Sequence, residues 1–430
     1  MPRFLHLADI HLGFDRYDNK ERTLDFFRAL QDALEKYALK AQVDFVVIAG
    51  DLFEHRNIQP ATLNQAQVCL QMLQEAGIPV LAIEGNHDNL SYGTKTNWLR
   101  YLSDWGLLIL LEPEAAEEGQ FVYEPWCSSK RRGGYIDLDC GVRILGSSWY
   151  GASAPQTIQR MAAAIQQLPP GPNFTIALFH HGLEGQIARY AGALRYNEVL
   201  PLKQVGVDYL ALGHIHKNYE IDNWIFNPGS IEANSVEEGR YQRGVYLVEI
   251  DKTGVQAQLK CDYYQRSILR LSLTARGGES LAELEQAAVT QVQKVIQAGA
   301  LDPTQSPIVE LRIDGQVGFD RLELDVRQLQ RKLQQQSGAL IFLLKYEVDS
   351  VEYASPVSGE ATRQEVEQEV FLDLLAANHK YKKQAPHLAQ GLIHLKEMQL
   401  EGRPEAELYT FAQELLGLDA SNSVVEDLIS

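Results

Sequence analysis

The stretch VDFVVIAGDLF, residues 43–53, carries the reading of the fold. Val43–Ala49 is an almost continuous apolar run, rich in Val and Ile and short for a helix, which reads as a buried strand. Gly50 follows and hands the backbone to Asp51, a carboxylate at the strand's carboxyl end. Four other stretches repeat the pattern. Phe4–Ala8 leads to Asp9, and Val80–Ile83 leads to Asn86 and His87. Phe174–Phe179 leads to His180, and Tyr209–Leu212 leads through Gly213 to His214. Between the early strands lie segments of helical period: Thr23–Ala41 with Phe26, Leu30, Leu34 and Ala38, and Ala61–Ala76 with Leu63, Ala66, Leu70 and Leu73. Strands alternating with helices predict an α/β layered sheet. Ligands of such sheets collect beyond the carboxyl ends of the strands. One site can therefore gather residues from Asp9 to His216.

Outward from these strands, the pattern changes after Gly244. Val245–Ile250 and Val255–Tyr264 read as paired strands around the turn Asp251–Gly254. A first domain is expected over 1–265. The next segment reads strand, helix, strand, helix, strand: Ile268–Leu273, Ser280–Ala298, Ile308–Ile313, Leu322–Gln336 and Ala339–Tyr346. That is a small α+β domain over 266–350. A looser stretch, Asp349–Glu360, leads into a helical segment over 351–430. Its apolar stripes are Val366, Val370, Leu374 and Ala377, then Leu408, Phe411 and Leu415.

Composition sets the outer limits. The 430 residues are 45% hydrophobic and 22% charged, a globular composition that excludes disorder for most of the chain. No apolar run is long enough for a membrane span, and the residues Met1–Gly13 lack a signal peptide's uncharged core. The four cysteines form no CxxC pair, so a reduced, cytoplasmic protein is expected rather than a disulfide scaffold or a zinc-thiolate site. The formal charge is −18, divided as −9 over 1–265, −1 over 266–350 and −8 over 351–430. Such a chain does not coat nucleic acid by its own charge, although bound metal ions can supply positive charge locally.

The strand-end groups are Asp9-x-His11, Gly50-Asp51, Gly85-Asn86-His87-Asp88, His180-His181 and Gly213-His214-x-His216. Each alone is weak, since a strand-end Asp is commonly a cap or turn residue. Together they hold six of the eleven histidines. The donors are carboxylate, imidazole and one amide with no thiolate, which suits Mn, Fe or Zn. They outnumber the needs of one tetrahedral ion. Two ions sharing a carboxylate use them all, and such a pair clamps the attacking and leaving oxygens of a phosphoryl displacement.

The ordered set D-x-H, G-D, G-N-H-D, H and G-H-x-H resembles the calcineurin-like metallophosphoesterase superfamily. The strings Asp9-Ile-His-Leu-Gly13, Gly50-Asp-Leu-Phe53 and Gly85-Asn-His-Asp88 are most similar to SbcD-type DNA repair exonucleases. Asn227-Pro-Gly-Ser-Ile-Glu232 resembles the segment that ends that family's catalytic domain. The resemblance covers roughly 1–265. The small domain over 266–350 is the expected cap, followed by a helical C-terminus, and the resemblance itself implies a layered β-sandwich flanked by helices. It implies two divalent ions, with Mn²⁺ expected. Asp9, His11 and His216 would bind the first, Asn86, His180 and His214 the second, and Asp51 both. His87 would be no ligand but would face the scissile phosphate as general acid, with Asp88 holding its imidazole. Of the adjacent pair His180 and His181, the resemblance favours His180, two residues before Gly182.

The activity implied is a DNA phosphodiesterase, a 3′-to-5′ exonuclease that also nicks single strands in double-strand break repair. The implied partners are DNA, an SbcC-type SMC-like ATPase and a second copy of the chain. The protein-phosphatase string G-D-x-x-D-R-G is missing, because Glu54-His55-Arg56 follows Gly50-Asp-Leu-Phe53. His55 reads as a surface or supporting residue. A cyclic-nucleotide phosphodiesterase and a non-catalytic scaffold for the ATPase are the competing readings. Lys130-Arg131-Arg132 in front of Gly133-Gly134-Tyr135 is the most basic loop, to be read either as a DNA contact or as a solvated hairpin tip. Trp149 and Tyr150 are expected in the core. The C-terminal helices either dock on the ATPase or pack on the chain's own small domain.

Overall fold

Each of the five apolar runs is a strand, and each is buried because both of its faces are covered. A computed structural model describes residues 1–90, 94–115, 121–187, 192–350, 362–376 and 381–416. They fold as two compact units, one of Met1–Arg270, Leu301–Val309 and Gly338–Ile341, the other of Leu271–Ala300, Glu310–Ser337 and Phe342–Ser430.

In the first unit the strands are β1 (Arg3–Leu7), β2 (Phe45–Ala49), β3 (Val80–Ile83), β4 (Ile109–Leu110), β5 (Glu114–Ala115), β6 (Phe121–Val122), β7 (Tyr135–Leu138), β8 (Val142–Leu145), β9 (Phe174–Phe179), β10 (Tyr209–Leu212), β11 (Tyr219–Ile221), β12 (Ile225–Asn227), β13 (Val245–Asp251) and β14 (Gly254–Lys260). The helices are α1 (Lys20–Leu34), α2 (Pro60–Glu75), α3 (Trp98–Asp104), α4 (Ala154–Ile165) and α5 (Tyr196–Gln204). Two six-stranded sheets result, ordered β14-β13-β1-β2-β3-β4 and β11-β12-β10-β9-β8-β7. β1, β2, β3 and β4 run parallel, as do β8, β9, β10 and β12, so the ligand-bearing strand ends of each sheet share one edge.

The period of two along each strand builds four layers. Phe4, Phe45, Val47, Leu81 and Ile83 of the first sheet meet Ile176, Leu178, Tyr209, Ala211 and Phe226 of the second. Phe4 stacks on Phe45 at 4.9 Å and Tyr209 on Phe226 at 4.4 Å, with Phe4 edge-on to Tyr209. The alternate residues Leu5, Leu7, Val46, Ile48 and Val80 face Ala29, Leu30, Leu70 and Leu73 of α1 and α2. On the far side Leu145, Phe179, Leu210 and Leu212 face Ile158, Met161, Val199 and Leu202 of α4 and α5. This is the layered β-sandwich flanked by helices that the resemblance implies. His6 is the polar exception inside it, between the Tyr209 hydroxyl at 2.9 Å and the Leu212 carbonyl at 3.1 Å.

The strand and helix order expected over 266–350 is present: β15 (Ile268–Arg276), α6 (Leu281–Gln297), β16 (Ile308–Val317), α7 (Val326–Ser337) and β17 (Ile341–Ser350). The strands form one sheet in the order β15-β16-β17. Ser280 and Glu283 form a reciprocal capping box on α6, and Leu284, Ala288 and Val292 are its buried stripe. The tail holds α8 (Arg363–Ala376), α9 (Ala385–Leu400) and α10 (Glu405–Leu415). In α8, Val366, Val370 and Leu374 are 36%, 51% and 65% exposed. Ala377, the fourth residue of that stripe, and the stretch 351–361 lie outside the described residues. Among the described residues, no helix is long and apolar enough to cross a membrane.

Candidate metal centre

The five strand ends leave their sheets by abrupt turns, which aim short side chains back over the sheet edge. Asp9, His11, Asp51 and His214 have φ of +51°, +53°, +55° and +79°. A positive φ is uncommon outside glycine and costs backbone energy. Four such residues at one edge mark a place where local strain is accepted to converge side chains. The two sheets are tied there directly, since the His214 amide donates to both Asp9 carboxylate oxygens at 2.9 Å.

Three groups of ligand-type side chains emerge. Asp9, His11 and His216 lie together, as do Asp51, His180 and His214, and His11 also stands with Glu54 and His87. In the first, His11 Nε2 and His216 Nε2 are 3.1 Å apart. The other nitrogen of each ring faces a carboxylate. His216 Nδ1 lies 3.0 Å from Glu238 Oε1, and His11 Nδ1 lies 2.7 Å from Glu54 Oε2. The hydrogen bond to Glu238 puts the His216 proton on Nδ1, which leaves its Nε2 lone pair facing His11. In the second group His180 Nδ1 donates to the Ala49 carbonyl at 2.7 Å. Its Nε2 then faces Asn86 Oδ1 and Asp51 Oδ2, both at 3.2 Å. His214 Nδ1 lies 2.8 Å from the same Asn86 oxygen. Asp51 Oδ2 is also 4.0 Å from His11 Nε2, so this carboxylate stands between the groups.

Acceptors converging on acceptors call for a cation. The ionisation of the site says the same. Burial opposes charge on His180, but Asp51 outweighs it and holds the imidazole up to about 9. Burial likewise opposes charge on His216, and Glu238 holds it up to about 9. Asp51, although buried, is lowered by His180 and His11, whereas burial raises Asp9. His214, buried and facing His180, is pushed down to about 3, a neutral donor. The mixed oxygen and imidazole set fits one or two divalent first-row ions.

Glycines make this convergence possible. A Cβ on Gly50 would stand 2.3 Å from His180 Nδ1, and one on Gly85 would stand 2.1 Å from Asp51 Oδ1. The Asn227–Glu232 segment clamps the other side. Asn227 Nδ2, fully buried, donates to the Ile215 carbonyl at 2.6 Å and the Lys217 carbonyl at 2.9 Å, on either side of His216. The Ile231 amide donates to the Asp9 carbonyl at 3.2 Å. Glu232 accepts from the Ala233 amide at 2.6 Å and the Arg266 amide at 2.7 Å.

His87 lies at the rim. Its ring is edge-on to His11 at 4.9 Å, and its amide donates to Asp51 Oδ1 at 2.9 Å. The expected role of Asp88 needs correction. Its carboxylate does not hold the His87 ring but accepts from the amides of Leu52, Phe53 and Gly85 at 3.2, 3.1 and 3.1 Å. Buried beside Asp51, its carboxyl is raised to about 6 by burial first and then by that neighbour. The partner of His87 Nδ1 is the Glu54 carbonyl at 2.6 Å, which leaves Nε2 for a substrate. Asp88 thus pins the two loops together, and no local sequence signal gave the Glu54 contact.

The remaining candidates sort by position. His181 turns away from the cluster, with Nδ1 3.2 Å from the Gly182 carbonyl and Nε2 3.3 Å from the Gly151 carbonyl. His55 is exposed, 3.1 Å from Asp15 Oδ1. Lys130, Arg131 and Arg132 are not brought to the site. Arg131 lines a hollow with Pro79, Val80, Leu108 and Ile109, at the amino-terminal ends of β3 and β4 and so at the opposite edge of the sheet. Arg132 pairs with Asp104 at 2.7 Å. Tyr150 packs on Phe179 as expected. Trp149 instead roofs the second group, its ring 5.7 Å from His180 and 5.2 Å from His214, with its amide held 3.2 Å from Glu84. Sequence reasoning missed Glu54, Glu84 and Glu238, because each acts on a residue distant in the chain.

The calcineurin-like phosphoesterase family profile matches residues 2–218. The chain is 32% identical over 252 residues to the DNA double-strand break repair protein Mre11 of Archaeoglobus fulgidus, covering 55% of this chain and 51% of that one. It is 41% identical over 260 residues to Mre11 of Methanosarcina mazei, covering 59% of this chain and 37% of that one. It is 27% identical over 262 residues to the uncharacterized metallophosphoesterase YhaO of Bacillus subtilis, covering 57% of each. The chain therefore spans about half or less of the length of these two Mre11 proteins.

Proposed function

We propose, since the chain belongs to the calcineurin-like phosphoesterase family, that its metal centre hydrolyses the phosphodiester backbone of DNA. The observation that carries this is His87. It lies outside the Asp9 and Asp51 groups, although it stands with His11 and Glu54, and it lines the open hollow beside the cluster with its Nδ1 2.6 Å from the Glu54 carbonyl. A phosphodiesterase needs a proton donor at such a place, and an imidazole there supplies one.

In this reading Asp9, His11 and His216 hold one divalent ion, Asn86, His180 and His214 the other, and Asp51 both. Two such ions, when bound, neutralise phosphate charge and make water a stronger nucleophile near neutral pH. Mn²⁺ is the expected metal. The protein's own part is to fix the donors, orient the phosphate, and deliver a proton from His87 Nε2 to the leaving oxygen. Asp88 is a positioning residue that fixes the turn carrying His87. The names of the relatives support a role in DNA double-strand break repair, and the motif resemblance adds 3′-to-5′ exonuclease and single-strand nicking activity to the reading. We keep 1–265 as the catalytic domain, 266–350 as a cap that selects DNA, and 351–430 as the acidic tail. The exposed Val366, Val370 and Leu374 support docking of that tail on an SbcC-type ATPase. Assembly as a homodimer and a cytoplasmic location complete the reading.

The test is release of nucleotides from end-labelled duplex DNA with added Mn²⁺, alongside metal content, for wild type and His87→Ala. The expected result is release by wild type, a drop of roughly 10²–10⁴-fold in the variant, and equal metal content in both. Loss of metal in His87→Ala would refute the assignment. Metal-replete wild type that turns over a cyclic nucleotide but not DNA would select the cyclic-nucleotide reading, and inertness on every phosphodiester would select the scaffold.

A further inference from the structure

An acidic protein that cuts a polyanion needs positive charge where the strand lies. The metal ions serve the phosphate under attack. Its neighbours along the strand need their own counter-charge, since phosphate contacts set the register of a nucleic acid on its protein. The basic loop Lys130–Arg132 sits at the far edge of the sheet and is engaged with Asp104. The relevant cation lies elsewhere.

An open hollow of about 570 Å³ adjoins the metal cluster, lined by Glu54, His55, Arg56, Asn57, Asn86 and His87. Arg56 is the one permanent positive charge in that lining. Its Nη2 lies 3.4 Å from the Asn86 carbonyl, while the Asn86 side-chain oxygen lies 2.8 Å from His214 in the metal cluster. The guanidinium thus reaches the backbone of Asn86, the residue before His87. Its backbone is pinned, which suits a binding residue better than a mobile loop. Trp98 Nε1 donates to the Arg56 carbonyl at 3.1 Å, the Glu54 amide donates to the Leu12 carbonyl at 3.0 Å, and Leu12 pairs with Phe53. The side chain itself is exposed to the hollow's solvent, and His55 beside it is turned to Asp15. A planar guanidinium with several donors matches a phosphate better than any other side chain.

We infer that Arg56 forms a phosphate subsite for the phosphodiester adjacent to the one under attack, and so selects a polymer over an isolated phosphodiester. This rests on the reading of the chain as a DNA phosphodiesterase. The subsite adds nothing to a substrate with a single phosphate. It adds a charge-assisted contact to every internal position of a strand.

The test compares wild type, Arg56→Gln and Arg56→Lys on labelled oligonucleotide and on bis(p-nitrophenyl) phosphate, each with Mn²⁺ and over a salt series. The readout is the ratio of kcat/KM on DNA to kcat/KM on the reporter. A lost charge-assisted hydrogen bond predicts a fall of about tenfold in that ratio for Arg56→Gln, with most of it restored in Arg56→Lys. The slope of log KM for DNA against log salt should shrink by about one in Arg56→Gln. DNA cleavage with an unchanged ratio and slope would overturn the Arg56 subsite alone. Reporter turnover by wild type without DNA cleavage would overturn the subsite together with the reading beneath it.

Discussion

Gly85→Ala should dismantle the metal centre by adding a single methyl group. The new Cβ would stand 2.1 Å from Asp51 Oδ1, 2.6 Å from the Asp51 amide nitrogen and 2.7 Å from Asp51 Cγ. Real Cβ contacts do not fall below 3.0 Å, so Asp51 and residue 85 must separate by about 1 Å. Gly85 has no left-handed φ, and the penalty is therefore steric rather than conformational. Asp51 cannot yield cheaply. Its Oδ1 accepts from the His87 amide at 2.9 Å, its carbonyl accepts from Ile10 and His11 at 2.8 and 3.1 Å, and its φ is already +55°. Overpacking of this kind costs about 1–3 kcal/mol of stability. The larger effect is on function, because metal ligands tolerate shifts of only about 0.2 Å and a 1 Å misplacement costs on the order of 10²-fold. Mn²⁺ titration calorimetry on chelator-treated protein, with hydrolysis of bis(p-nitrophenyl) phosphate, reads both. Gly278→Ala is the control, since a Cβ there meets nothing within 4 Å. Two ions bound by Gly85→Ala at wild-type affinity, with turnover within twofold, would show that Asp51 is not held as described.

Other perturbations probe the frame and the sandwich. Asn227→Ala leaves the Ile215 and Lys217 carbonyls without their buried donor, so a loss of about 2–4 kcal/mol is expected, with weaker binding of the ion that His216 would hold. A thermal midpoint and Mn²⁺ affinity equal to wild type would refute the clamp. His6 is kept neutral inside the sandwich, its imidazole pushed down to about 3 by burial, which the Leu212 carbonyl only partly opposes. Below about pH 6.5 the unfolded chain takes up a proton that the folded chain refuses. Stability from this group is therefore present above 6.5 and lost as pH falls toward 3, by about 1.4 kcal/mol per pH unit. The gap in thermal midpoint between wild type and His6→Asn should narrow over that range, and parallel profiles would sink the assignment.

What the sequence determined is what is encoded locally. An apolar run of strand length followed by a turn and a ligand specifies its own strand and its own strand end. Asp9, Asp51, Asn86 and His214 could therefore be named before any packing was known. Parallel strands then bring such ends to a common edge, which is why ligands spread from Asp9 to His216 read as one site. The paired strands near Asp251 and the strand and helix order of 266–350 were legible for the same reason, since hydrophobic period and turn chemistry act over a few residues. What only the tertiary structure decided depends on neighbours distant in the chain. Whether His180 or His181 faces the cluster follows from which ring can reach the Ala49 carbonyl across the sandwich. The carboxylate of Asp88 serves three loop amides rather than the histidine beside it, because the Leu52 and Phe53 amides arrive from another strand end. The orienting contacts of Glu54 and Glu238 on His11 and His216, and the roof formed by Trp149, belong to the same class. So does the remoteness of Lys130–Arg132, whose charge pattern resembles a binding loop until the sheet places it at the wrong edge. Strands and ligands are written in short-range periodicity; the partners that orient those ligands are selected by long-range packing, which leaves no mark in local spacing.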